Sequence, residues 1–93
     1  MDTVKIKTIR NKIDKLDYKL LNLIKKRTNL VNQVIKVKLL KKQIVDNKRI
    51  IKILSNIKKR SLLKKIDPQI TRAIWIAMIR SFIKYERKNF KKK

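Results

Sequence analysis

The chain has 93 residues, enough for one small domain, and its 29 basic and 6 acidic side chains give a formal net charge of +23. It contains no Gly, no Cys, no His and a single Pro, while 43% of its residues are hydrophobic. This composition predicts an all-helical fold, because turns between strands rely on Gly and Pro, and it excludes disulfides, thiolate nucleophiles, His general bases and the usual zinc sites.

The basic excess has two interpretations. A partner with negative charge, such as nucleic acid or an anionic membrane surface, would be attracted by it. However, Lys outnumbers Arg by 22 to 7 and is spread along the whole chain, which is typical of the codon bias of an AT-rich genome. We therefore interpret the charge as compositional bias with a general attraction for anions, in preference to a dedicated nucleic-acid surface.

Targeting and membrane signals are not visible in the sequence. Residues 1–10 lack the apolar segment of a signal peptide, and the longest apolar run, residues 73–79, is too short to span a bilayer. Together with the lack of Cys, these features predict a cytoplasmic protein.

The first predicted element is a long helix from about Thr3 to about Leu40. Apolar residues recur at alternating steps of four and three, the heptad pattern of a helix that packs against other helices. At about 1.5 Å per residue the helix would be roughly 55 Å long, whereas a compact chain of this size has a radius of gyration of only about 12–13 Å. The rest of the chain cannot cover this helix, so we predict an intertwined homodimer. The seam consists of Ile9, Ile13, Leu16, Leu20, Leu23, Leu30, Val34 and Val37, with Arg27 at the remaining position.

Two shorter helices are predicted to follow. Residues 41–46 form a break, and Asp46 or Asn47 is the expected N-cap of a second helix, whose apolar residues occupy positions 50–57. A basic connector over residues 58–66 leads to Asp67 and Pro68, an N-cap followed by proline at the first helical position.

The third predicted helix runs from Pro68 to about Asn89. Its apolar face is expected to contain Ile70, Ile74, Ala77 or Met78, Phe82 and Tyr85. With three helices per chain and no linker, we predict a single all-α domain over residues 1–93. The chain leaves no room for a further domain after the third helix, so we expect a stand-alone protein without a regulatory domain.

A cation interrupts the apolar seam at Arg27. Lys38 lies eleven residues later, within roughly 20° of Arg27 around the helix, whereas Arg10 is turned about 100° away and could serve the same site only from a second copy. A buried cation without an anion is costly, and no acid lies near Arg27 on its helix. Arg binds carboxylates through its planar fork, so the residues predict a helical dimer that binds a small polyanion between helices.

Each polar residue also has a simpler interpretation. Arg10 could be a solvated residue paired with Asp14 at i+4, and Lys38 could be one more surface lysine. Asp46 could act only as a helix cap, and Arg49 could be only solvated.

The sequence resembles the all-helical class of chorismate mutases over nearly its whole length. The similarity begins at Ile9-Arg10-Asn11-Lys12-Ile13-Asp14, and it returns at Ile66-Asp67-Pro68 and at Glu86. Its most specific part is the spacing of four cations, with an acid before the last of them: Arg10, Arg27, Lys38, Asp46 and Arg49.

The resemblance implies a domain-swapped helical dimer with two identical sites, each an isomerase that converts chorismate to prephenate on the route to Phe and Tyr. No cofactor or metal is implied. By similarity, Arg27 and Arg10 of the partner subunit would clamp the two substrate carboxylates. Lys38 would hydrogen-bond the ether oxygen, on which negative charge grows in the transition state.

The remaining site residues carry over less directly. Asp46 and Arg49 would order the side of the site that receives the ring hydroxyl. Glu86 stands where the family commonly has Gln or, in some members, Glu, which donates a hydrogen bond to the ether oxygen. A carboxyl group donates only when it is protonated, so the resemblance implies a rate that falls as the pH rises.

Three departures from the family pattern are visible. Ile50 replaces the usual Glu that accepts the ring hydroxyl, and the connection from Lys38 to Asp46 is one residue shorter than usual. In our preferred register Phe82 occupies the usual Ser position. A slip of one residue would instead align Ser81 with that position and put Tyr85, rather than Glu86, at the ether oxygen.

Three other functions remain open at this point. Isochorismate pyruvate lyase has the same fold, acts on a related dianion and can have an apolar residue at the position of Ile50. A basic helical protein that binds nucleic acid would show steeply salt-dependent binding, but it leaves Arg27 in the seam unexplained. The missing Glu could also mark a non-catalytic relative.

Overall fold

The computed structural model describes residues 2–38 and 41–91, without the side chains of residues 41 and 42. It contains three α-helices, α1 (Thr3–Val37), α2 (Asn47–Leu63) and α3 (Pro68–Asn89), and a 3₁₀ helix (Lys41–Ile44) between α1 and α2. The described residues form no strand, so the predicted all-α class is confirmed. Helix α1 begins where the sequence predicted. It ends at Val37, and the predicted last residue, Leu40, lies outside the described residues.

Internal contacts divide the chain into two units, residues 1–33 and residues 34–93, with the boundary inside α1. The first unit is one amphipathic helix. Its six apolar seam residues are between 49% and 60% exposed in the single chain, and Arg27 is half-buried. This part of α1 therefore keeps its apolar stripe uncovered.

The second unit packs on itself, with α2 against α3 and the 3₁₀ helix against α3. Its buried apolar side chains are Ile35, Ile44 and Ile79. Two polar residues are buried with them, Ser61 at 3% exposure and Glu86 at 7%. Such groups need partners inside the protein, and both have them, Ser61 in the Ile57 carbonyl and Glu86 in Lys38.

Helix α2 extends further than the sequence predicted. Residues 58–63, which we expected to belong to a basic connector, continue the helix to Leu63. Lys and Arg are strong helix formers, and neither Gly nor Pro interrupts this stretch, so charge alone did not mark a boundary.

A Schellman motif ends α2. Lys65 adopts a left-handed conformation with φ 59°. Its N–H donates to the Leu62 carbonyl at 3.2 Å, and the Ile66 N–H donates to the Ser61 carbonyl at 2.9 Å. Glycine usually occupies this left-handed position, because a Cβ atom is strained there. The chain has no glycine, and a lysine takes its place.

Helix α3 begins as predicted. The Asp67 carboxylate accepts the Gln69 N–H at 2.9 Å, and Pro68 occupies the first turn. Two residues of the predicted apolar face, Ile70 and Ile74, are 56% and 51% exposed in the single chain. The side chains that α3 buries, Ile79 and Glu86, are seven residues apart, two turns of the helix, and lie on a neighbouring face.

None of the helices that the structure describes combines the length and the apolar character needed to cross a bilayer.

Candidate functional site

Lys38 and Glu86 meet inside the second unit. Lys38 directly follows α1, and its backbone N–H still donates to the Val34 carbonyl at 3.1 Å, so the end of the helix fixes its position. Glu86 lies in the last turns of α3. The Lys38 Nζ donates to the Glu86 Oε1 at 3.1 Å, although 48 positions separate the two residues.

Limited solvent access strengthens this contact. The side chains of Lys38 and Glu86 are 18% and 10% exposed. A charge-assisted hydrogen bond in such a setting is screened less than a surface pair, and removing one partner leaves the other charge buried without compensation. The two groups assigned by similarity to the same substrate atom are therefore neighbours in this structure.

Asp46 caps the start of α2. Its Oδ1 accepts the backbone N–H of Arg49 at 3.0 Å, and its carbonyl accepts the Ile50 N–H at 3.0 Å. The cap fixes the first turn of α2, from which the side chain of Arg49 extends into solvent. Ile50 is half-buried and offers no side-chain acceptor.

An open depression of about 460 Å³ connects Lys38 with the start of α2. Asp46 and Asn47 line it, together with Gln43 from the 3₁₀ helix. Gln43 was not predicted as a site residue from the sequence. It lies in a short connector without periodicity, so no pattern distinguished its amide from those of other surface residues.

The end of α3 contains an aromatic pair next to Glu86. The rings of Phe82 and Tyr85 pack edge to face, with centroids 6.2 Å apart and planes at 77°. Both rings are half-buried, whereas Glu86 is buried. The Ser81 hydroxyl donates to the Ala77 carbonyl of its own helix at 2.8 Å. The choice between the two registers of α3, with Glu86 or Tyr85 at the ether oxygen, stays a prediction.

Arg10 and Arg27 belong to the first unit. Arg10 is exposed and borders a shallow depression on α1 with Ile6 and Asn11, and Arg27 is half-buried. Their roles in substrate binding stay predictions. Among residues 2–38 and 41–91, no three carboxylate, His or Cys side chains form a group that could hold a metal ion.

Comparison with known proteins gave one match. The family model for chorismate mutase type II matches residues 9–87, from the first seam residue to the residue after Glu86. No curated protein and no solved structure matches the chain significantly.

Proposed function

The chain belongs to the chorismate mutase type II family, and on that basis we propose that it converts chorismate to prephenate in the cytoplasmic biosynthesis of Phe and Tyr. This Claisen rearrangement is intramolecular and uses no nucleophile, metal or proton transfer. The catalyst must hold a flexible dianion in a chair-like conformer and stabilise negative charge on the ether oxygen as its bond breaks. Cations and hydrogen-bond donors suffice for both tasks, in a chain without Cys or His.

The observation that carries this proposal is the contact between Lys38 and Glu86. The Nζ and Oε1 atoms are 3.1 Å apart, in a partly water-excluded place where an electrostatic interaction is stronger than in solvent. A Lys38 ammonium held there is preorganised to donate to an oxygen that becomes negative in the transition state.

Glu86 would take part as a second donor to the ether oxygen. In the free protein it accepts from Lys38, and an ionised carboxylate has no proton to donate. When the ether oxygen contacts both groups, Glu86 must carry a proton to donate. The proposed reaction is therefore faster at lower pH, as long as the rest of the site stays intact.

The substrate carboxylates require further cations. We assign one to Arg27 and the other to Arg10 of the partner subunit, because a planar guanidinium binds a carboxylate through two parallel hydrogen bonds. The net charge of +23 also attracts a dianion over longer distances.

The substrate ring would lie against the start of α2 and the end of α3. Asp46 orders the first turn of α2 and thereby positions Arg49. Phe82, packed against Tyr85, would supply an apolar wall. Ile50 cannot accept a hydrogen bond from the ring hydroxyl, so we expect weaker substrate binding than a carboxylate at this position would give.

A homodimer would complete each site. The eight apolar seam residues of α1 are 44–72% exposed in the single chain, a continuous stripe that a soluble protein rarely leaves uncovered. We propose that a second copy of α1 covers it, which would also bring Arg10 of the partner subunit to the site.

The test is a direct assay of chorismate loss and prephenate formation by the purified protein. We expect Lys38→Ala and Arg27→Ala to lower kcat/KM by roughly 100-fold or more, the effect of removing one preorganised donor. Lys52→Ala, which removes an exposed lysine of α2, is the matched control and should retain the wild-type rate. If both site variants match the wild type, the proposed site is wrong.

Isochorismate pyruvate lyase is the second candidate, and Ile50 is the residue that favours it. The same purified protein should be given chorismate and isochorismate in parallel, with pyruvate measured as the lyase product. Pyruvate release from isochorismate without prephenate formation from chorismate would assign the lyase activity. An inactive folded dimer would assign a non-catalytic role.

A further inference from the structure

Helices α2 and α3 enclose a second concave surface, far from Lys38 and Glu86. It has a volume of about 380 Å³, and we call it the hairpin groove. Its lining includes Leu54, Ile57 and Lys58 of α2 and Pro68, Thr71 and Arg72 of α3. Arg72 precedes Glu86 by fourteen residues, about 21 Å along α3 at 1.5 Å per residue. The groove is therefore separate from the site proposed above.

The floor of the groove is apolar. Leu54 and Ile57 lie one turn apart on α2, and Pro68 faces them from the start of α3. All three side chains are half-buried, so each presents part of its surface to the groove. A volume of this size falls within the range of small-molecule pockets, and apolar walls are typical of such pockets.

The rim of the groove is positive. Lys58 comes from α2 and Arg72 from α3, and both residues are exposed. No carboxylate is among the groove's described lining residues. The neighbouring acid, Asp67, caps α3 by accepting the Gln69 N–H at 2.9 Å. A ligand that bridges the two cations would therefore be an anion.

A hydroxyl group adds an acceptor to the groove. Ser61, 3% exposed, donates its only hydroxyl proton to the Ile57 carbonyl at 2.6 Å. The 2.7 Å contact between the hydroxyls of Ser61 and Thr71 is then donated by Thr71. The approach of Thr71 to the Pro68 carbonyl, at 3.3 Å, is longer and weaker. Thr71 thus offers a ligand only lone pairs, so a carboxylate would be bound by the cations and not by this hydroxyl.

We propose that the hairpin groove binds a small carboxylate with an apolar body of about one ring. The ring lies on Leu54, Ile57 and Pro68, and the carboxylate bridges Lys58 and Arg72. This site does not depend on the proposed reaction, because it shares none of these residues with the Lys38–Glu86 site.

The test is a titration of the full chain with 3-phenylpropionate, followed by ¹H–¹⁵N NMR. We expect saturable shifts of the backbone amides of Ile57, Lys58, Thr71 and Arg72. The uncharged analogue methyl 3-phenylpropanoate should bind at least tenfold more weakly, because it cannot form the two ionic contacts and has no N–H or O–H group to donate to Thr71. The double variant Lys58→Met/Arg72→Met should lose at least tenfold in affinity for 3-phenylpropionate.

Two matched variants separate the groove from general charge effects. Lys59→Met/Arg80→Met removes one exposed cation from each of the same helices outside the groove and should bind the probe like the wild type. Lys38→Met removes the cation of the other site and should also leave probe binding unchanged. Equal loss of affinity in any of these controls would overturn the proposal.

A subunit contact is the competing use of this groove. If 3-phenylpropionate causes no saturable shifts, and Lys58→Met/Arg72→Met changes the oligomeric state measured by sedimentation, the groove is covered by a second copy and the proposal is wrong. Binding of the probe with an unchanged oligomeric state supports it.

Discussion

The two units of the chain use apolar residues in opposite ways. In the second unit α2 packs against α3, and Ile35, Ile44 and Ile79 are buried together with Ser61 and Glu86. In the first unit, α1 has a more regular apolar pattern, and its seam residues remain about half exposed. The more regular pattern thus belongs to the helix whose apolar stripe is exposed in the single chain. Regular spacing predicts a surface made for another helix, but not which chain supplies that helix.

The largest effect on the first unit is expected from a charge in the seam. Leu23→Asp puts a carboxylate where a second α1 would pack, and an unpaired charge there costs about 3 kcal/mol or more, roughly 100-fold in association. We expect sedimentation to show monomers at concentrations where the proposed wild-type dimer forms, together with loss of the proposed mutase activity.

The control for this change is Leu63→Asp. Leu63 is 83% exposed at the end of α2, outside the seam, so its replacement should leave association and activity unchanged. A dimeric Leu23→Asp protein would show that the seam is not the subunit contact.

A change at Glu86 tests whether this residue of the second unit donates a hydrogen bond in the proposed reaction. Gln donates a hydrogen bond at every pH, whereas Glu donates only when protonated. We expect Glu86→Gln to raise kcat at pH 8 by about tenfold, equivalent to about 1.4 kcal/mol, and to remove the decline of the rate with rising pH. A wild-type profile that is flat from pH 5 to 8 would rule out this role.

The packing of the second unit is tested at Ser61. Ser61→Ala removes a buried hydroxyl that bonds the Ile57 carbonyl and contacts Thr71, so we expect a loss of about 1–2 kcal/mol in the free energy of unfolding. Ser81→Ala is the matched control, because the Ser81 hydroxyl is exposed and bonds only within α3. Urea unfolding should show a lower free energy of unfolding for Ser61→Ala alone. An equal loss in both variants would contradict a special role for the α2–α3 contact.

The smallest expected effect concerns the turn between α2 and α3. Lys65→Gly relieves the left-handed strain at φ 59°, and we expect stabilisation by about 0.5–1 kcal/mol. Lys64→Gly should destabilise instead, because Lys64 has φ −88° and gains nothing from glycine. Thermal unfolding would detect both changes, and destabilisation by Lys65→Gly would show that the turn is not strained.

Local chemistry decided which parts of the fold could be predicted from the sequence. Asp67 and Pro68 mark the start of α3 correctly, because a cap and a first-turn proline act within four residues. The end of α2 was placed too early, since a lysine run contains no stop signal and the Schellman turn at Lys65 has no glycine to indicate it.

The periodicity of the helices did not predict the tertiary contacts. Nothing in the helix pattern relates Lys38 to Glu86, and only the family resemblance assigned both to one substrate atom. The exposure of Ile70 and Ile74 has a similar cause. Sequence periodicity counts all apolar positions of α3 together, whereas α2 can cover only one side of it.

The lack of glycine, which puts a lysine in the α2–α3 turn, also affects the unfolded chain. A sequence without glycine has fewer backbone conformations available when unfolded, so ordering each residue costs less entropy than it would with glycine present. At Lys65 the lack of glycine instead destabilises the folded chain, because Lys65 adopts a left-handed conformation that glycine adopts without strain. A stiffer unfolded chain and one strained turn are two results of the same composition.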